Sequence, residues 1–436
     1  MADRRVVITG LGVVSPLGIG VEPLWQALCG AQSGVRGIDL FDASNFACRI
    51  GGQLGDFSAR SFVPKDYRKA VKVMARDIEI AVAAADVAFR DSGIVTKGID
   101  PAGISVPAKR IGCNIGAGLI CTDLDELGQA VATAVTDGKF DIRKWGTVGM
   151  NNLTPLWLLK YLPNMLSCHV TIIHGCEGPS NCITCGDASG LLSVGESARQ
   201  ISRGAADVVI AGGAESKLNP MGFLRQTMLG RLCMDSNDNA ATACRPFDAS
   251  HQGTVIGEGG GLLILEELEH AKARGARIYA EVVGFGAACD PNGIDVATPT
   301  AGCLHLAVKQ ALRDAKLAPE QIDLIVPHGT GVAGEDKLES AAWTTALGAA
   351  AAKPAFAFTG ATGSLFAGAG GVSLALASLA LHKQALPATP NFAKPFDGCG
   401  LNLAAAPREA KLEYAVCGSF AIGGQSGACV LKKYSS

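Results

Sequence analysis

The chain has 436 residues, 48% of them hydrophobic and only 18% charged, with a formal net charge of −2. Such a composition can bury a large core in two closely packed halves, and it offers no basic block for a nucleic-acid partner. Its 15 cysteines are scattered singly and read as reduced, buried small residues rather than a disulfide framework.

The chain opens directly into an apolar strand, Arg5–Ile8, without a charged-then-apolar leader. No run of roughly 18 apolar residues follows anywhere, so a cytoplasmic chain without a membrane span is expected. Next, Gly10-Leu11-Gly12-Val13-Val14-Ser15 looks like a dinucleotide-binding fingerprint. Its third glycine is Ser15, Pro16 follows, and no acidic residue closes a second strand about 20 residues on. Nucleotide binding is not expected, and no cofactor is. Residues 31–160 are richer in charge, proline and aromatics and read as a cap inserted into the first half. Within them, Val71–Ser92 is amphipathic at helical spacing. Further strands are predicted at Val170–Ile173, Val208–Ala211, Leu262–Leu265, Leu324–Val326, Ala415–Val416 and Ala428–Leu431. Helices Leu191–Arg203 and Leu365–His382 are rich in Ala, Gly and Leu all round, as helices buried on nearly all sides are. Strands alternating with helices predict an α/β layered fold. The halves also echo each other: Val208–Gly213 and Ala415–Gly424 both run into glycine-rich turns, and the helix from Gly190 has a counterpart near Leu365. The division predicted is 1–261 and 262–436.

Three glycine-framed clusters are placed to carry chemistry. Gly178-Pro179-Ser180-Asn181-Cys182-Ile183-Thr184-Cys185-Gly186-Asp187-Ala188-Ser189-Gly190 leads into a buried helix, whose N-terminus favours a thiolate or a developing oxyanion. Val326-Pro327-His328-Gly329-Thr330-Gly331 ends an apolar strand on a histidine. Thr359-Gly360-Ala361-Thr362-Gly363-Ser364 opens a second buried helix. Cys182 and Cys185 form the one close cysteine pair, but no second ligand pair lies at zinc spacing.

Together with Arg5–Gly18, Ala206–Glu215, Arg245–Asp248, Gly253–Gly261 and Gly418–Gly424, these clusters resemble the β-ketoacyl-acyl-carrier-protein synthases of the second, elongating type. That family lies within the thiolase superfamily, and the likeness spans essentially the whole chain. His328-Gly329-Thr330 with Asp336-Lys337 and Glu339 is a specific signature, as is the closing Gly418–Gly424 stretch. The resemblance implies a duplicated α-β-α-β-α layered fold and a dimer. It also implies action on acyl and malonyl thioesters of acyl carrier protein in fatty-acid or polyketide biosynthesis. Such enzymes use a cysteine nucleophile, two histidines and a lysine. A gap-free alignment puts Asp187 at the nucleophile, His328 at the first histidine, Ser364 at the second and Thr359 at the lysine. Ile422 replaces the gating phenylalanine, and its amide, with that of Asp187, would form the oxyanion hole. Thr298 and Thr300 are the further substrate-binding residues implied.

Other assignments remain open on the sequence. Cys185 should lie inside the strand, two residues upstream of the helix start, where its thiol misses the helix N-terminus. Asp187 could attack a thioester itself, giving a mixed anhydride that does not store an acyl chain well. It could act as a general base with His328, or simply cap the helix. Decarboxylative condensation without a covalent acyl group forgoes a proximity effect of about 7–11 kcal/mol. The chain is therefore expected to resemble the chain-length factors of type II polyketide synthases, which pair with a cysteine-bearing ketosynthase and shape acyl-chain binding. The pairing strand is expected near Val170–Cys185. The alternative is an acyl-thioester enzyme of altered chemistry using Asp187 and His328.

Overall fold

The computed structural model describes residues 4–291 and 303–435. Thr298 and Thr300 lie outside the described residues.

One twisted sheet organises the fold. Its central strand, Val6–Ser15, is buried along all ten residues. A continuous apolar run of this kind needs cover on both faces, and helices supply it. Val6–Ser15 pairs antiparallel with Glu258–Glu267, which pairs antiparallel with Val208–Ser216. Ile111–Gly116 and Ser180–Ile183 then add in parallel out to one edge. The other half repeats the pattern: Ala280–Cys289, Gln425–Lys433 and Tyr414–Phe420 run antiparallel, then Leu324–Val326 and Pro354–Ala355 add in parallel. Val6–Ile8 joins the halves by pairing with Ala280–Val282. This repeated order is the structural form of the internal echo in the sequence.

Two helices, Ser189–Ser202 and Ala369–Lys383, meet at the middle of the molecule. In the second, all of Ala369–Leu381 is buried. They approach closely because their contact is glycine: a side chain at Gly190 would strike the Ala367 carbonyl, and one at Gly370 would strike Leu191. On the far side of the first half, Arg76–Ser92 lies on the sheet. A Cβ at Gly12 would run into the Ala84 carbonyl there, so the glycines of the fingerprint lookalike serve helix packing. On the second half, Leu304–Ala315 packs against Ala280–Cys289. The result is the duplicated α/β layering expected.

One expectation needs correcting. Val170–Ile173 is helical, within Met165–His174, because a short apolar run reads alike as a strand or a buried helix. The edge strand of that region is Ser180–Ile183. Within 31–160, Arg76–Ser92 and Ile111–Gly116 belong to the core layers. The division at 261–262 falls inside the strand Glu258–Glu267, which pairs on both sides with first-half strands. No helix among the described residues is long and apolar enough to cross a membrane.

Candidate functional site

The edge strand Ser180–Ile183 delivers the chain into a tight turn before the helix Ser189–Ser202. Gly186 takes a φ of 55°, a conformation open to glycine at little cost. Ser189 pins the turn: its hydroxyl accepts from the Cys185 N–H at 2.8 Å and donates to the Gly186 carbonyl at 2.6 Å. Asp187 is thereby held inward, only 7% exposed. Its own carbonyl accepts a hydrogen bond from the Ser419 hydroxyl at 2.9 Å, which ties the turn to the C-terminal strand pair.

His328 arrives from the other half, two residues past the strand Leu324–Val326. Its backbone N–H and that of Gly329 donate to the two carboxylate oxygens of Glu339, at 2.7 and 2.8 Å. The Trp343 indole adds a third donor at 3.1 Å. Burial still pushes the Glu339 carboxyl up to about 8. The imidazole Nδ1 faces the Phe420 N–H at 3.4 Å, so it acts as acceptor and the ring proton belongs on Nε2. Burial pushes the imidazole below its ordinary range, with Asp187 opposing, and the ring is neutral at pH 7. Its Nε2 is buried without a hydrogen-bond partner among the described residues and lies 3.8 Å from the Asp187 carboxylate.

Arg231 completes the group. Its guanidinium binds Glu335 through two hydrogen bonds at 2.8 and 2.9 Å and Gln226 at 3.2 Å, and it stands 3.7 Å from Asp187. Two carboxylates from distant parts of the chain thus share one buried cation. Neither Arg231 nor Glu335 stood out in the sequence. Arg231 is a lone basic residue beside Gly230, and Glu335 sits immediately before the Asp336-Lys337 signature that masked it.

The remaining candidates are placed as follows. Thr359 is buried and its hydroxyl donates to the Gly329 carbonyl, next to His328. Ser364 is buried, and its hydroxyl has no partner among the described residues. Ile422 is 38% exposed, at the turn joining Tyr414–Phe420 to Gln425–Lys433. Cys185 lies in the turn rather than inside the strand as expected, because the strand ends at Ile183. Burial raises its thiol, the reverse of an activated nucleophile. The Cys182 thiol is pushed up to about 11 by burial and donates to the Pro163 carbonyl.

The family model for the β-ketoacyl synthase N-terminal domain matches residues 3–271, and that for the β-ketoacyl synthase C-terminal domain matches residues 279–393. The chain belongs to the β-ketoacyl synthase family. It is 35% identical to a 3-oxoacyl-[acyl-carrier-protein] synthase 2 of Vibrio cholerae, over 99% of this chain and 100% of that one. It is 34% identical to a synthase of the same name from Synechocystis, over 100% and 99%. Among solved structures, the ishigamide ketosynthase/chain length factor superposes with a TM-score of 0.84 at 28% identity, covering both chains fully. A β-ketoacyl synthase from Burkholderia phymatum superposes at 0.85 and 28%, covering 99% and 100%. The chain is therefore a ketosynthase family member of fatty-acid or polyketide biosynthesis.

Proposed function

We propose that this chain is a non-condensing member of the family that pairs with a cysteine-bearing ketosynthase and shapes acyl-chain binding, working with acyl carrier protein in the cytoplasm. The observation that carries the reading is the buried Asp187 carboxylate, held beside Arg231 and His328 where the alignment calls for a thiol. A carboxylate there cannot hold an acyl group as a stable thioester, and neither nearby cysteine is activated. Thr359, at the lysine position, is committed to the Gly329 carbonyl, and Ser364, at the second histidine, offers only a neutral hydroxyl. Asp187 also sets a negative charge where a malonyl carboxylate would have to approach, which disfavours decarboxylation.

Pairing is supported by the open edge of the sheet. The carbonyls of Pro179 and Ile183 accept from Ile111–Gly116 and the residue after it, so Ser180 and Cys182 face outward. Near this edge in sequence, Leu119, Ile142, Leu156 and Ile172 are all more than half exposed. An edge left unpaired among the described residues suits strand addition by a second ketosynthase-fold chain. Co-expression with a homologue bearing an intact cysteine and two histidines tests this: the two should copurify, and the product length should follow mutations in this chain. A chain that stays alone, with products indifferent to it, refutes pairing.

A second reading is favoured by one observation. His328 keeps a buried Nε2, unpartnered among the described residues, 3.8 Å from Asp187. A neutral imidazole donor next to a carboxylate could polarise a thioester carbonyl while the carboxylate activates water. Thioester hydrolysis by the chain alone, abolished by His328→Ala, would favour it over pairing.

A further inference from the structure

Away from Asp187, a cavity of about 560 Å³ opens between the start of the helix Arg76–Ser92 and the start of the helix Pro220–Met228. Its volume is in the range of small-molecule sites. Part of the wall is apolar, from Phe41, Met74, Leu218 and Pro220. The rest is charged, and the charges do not balance. Arg76 is engaged by Glu258 at 2.9 and 3.0 Å and approaches Glu79 at 3.6 Å. Lys160 is engaged by Glu126 at 2.6 Å, and Lys217, just behind the wall, by Glu215.

Every cation at the cavity is therefore matched, while Asp77 is left over. It is 3% exposed and accepts a hydrogen bond from the Ser216 N–H at 3.1 Å; the cation acting on it is Lys217, which Glu215 already engages, and none lies within ion-pair distance among the described residues. Asp123 and Asp125 at the rim are likewise outside any ion pair there. A buried carboxyl facing a cavity without a counter-ion of its own is costly to ionise, and burial with Glu215 nearby, only partly offset by the shared Lys217, pushes Asp77 up to about 7. No cluster of three metal-ligating side chains is arranged for a metal ion among the described residues. An anionic ligand would find the cations already taken. The complement left is a monovalent N–H donor attached to something apolar.

We propose that this cavity binds an amphipathic ammonium ligand, a primary amine on a short apolar chain, with Asp77 as its counter-ion. The ammonium group sits against Asp77 and Ser216, and the chain lies along Met74, Leu218 and Pro220. The inference stands apart from the pairing reading, because it is tested on this chain without a partner.

The test is calorimetric titration of the purified chain with n-hexylammonium chloride and, as the uncharged control, n-hexanol. Hexylammonium should bind, and hexanol should bind at least tenfold more weakly. Asp77→Asn, which preserves shape and the Ser216 contact, should weaken hexylammonium at least tenfold and leave hexanol unchanged. Leu124→Trp, at the exposed mouth, should weaken hexylammonium by obstructing entry, and it decides the matter if Asp77→Asn melts early. Equal binding of amine and alcohol, or full hexylammonium affinity in either variant when folded, overturns the proposal.

Discussion

The sharing of Arg231 by two buried carboxylates can be tested by removing the cation. Arg231→Met keeps the length of the side chain and deletes the charge, leaving Glu335 without its two hydrogen bonds and Asp187 without its neighbour. Removing one partner of a buried ion pair costs about 3–5 kcal/mol, because an uncompensated charge stays behind. Asp187→Asn should cost about 1 kcal/mol or less, since the contact it loses is a long one at 3.7 Å and a buried charge goes with it. The doubly bonded Arg231–Glu335 pair survives that change. On the Asp187→Asn background, Arg231→Met should cost about 1–2 kcal/mol less than on the native chain, as expected for groups in one network. An unfolding entropy of about 2.1 cal/mol/K per residue over 436 residues turns 3–5 kcal/mol into a Tm drop of about 3–6 °C. Thermal unfolding by circular dichroism, backed by urea titration at constant slope, reads the differences. Equal costs for Arg231→Met and Asp187→Asn, or strict additivity of the two, would refute the shared-cation account.

Two other predictions concern a buried histidine and the sheet edge. His174 is buried against Phe89, with Nδ1 at 2.8 Å from the Thr96 hydroxyl, and burial pushes it down to about 3. The unfolded chain takes up a proton there from about pH 6.5 downward and the folded chain does not, so stability falls as pH falls through that window. By pH 4.5 this one group accounts for about 2–3 kcal/mol, and His174→Gln should flatten the pH dependence of urea unfolding by that amount; an unchanged slope contradicts it. Ser180→Pro removes an outward-facing N–H from the edge strand. It should abolish copurification with a cysteine-bearing homologue while leaving the chain's own Tm within about 2 °C; intact pairing would place the interface elsewhere.

Much of the fold was legible because its strands are continuous apolar runs with nothing to confuse them. The predicted Arg5–Ile8 and Val208–Ala211 are examples, although the strands run on through glycines to Ser15 and Ser216, and the helix Ala369–Lys383 announces itself by having no polar face. Val170–Ile173 was misassigned because four residues, three of them apolar, carry no period of their own, and the helix that contains them is set by its packing against Arg76–Ser92. At the site, Asp187 and His328 could be found because each sits in a glycine-framed turn at a strand end, although both side chains are buried. Arg231 could not, because its meaning lies in contacts 44 residues back and 104 residues ahead in the chain, which only the duplicated fold brings together. The place of Cys185 was missed by a strand that ends two residues early.

The most direct measurement is intact mass spectrometry of the purified chain after incubation with malonyl- and acyl-loaded acyl carrier protein, alone and with a cysteine-bearing homologue. The account predicts an unmodified chain in both cases, with acyl adducts and ketoacyl product arising only on or with the partner. An acyl adduct localised to Asp187 or Cys185, or steady ketoacyl product from the chain alone, would contradict it.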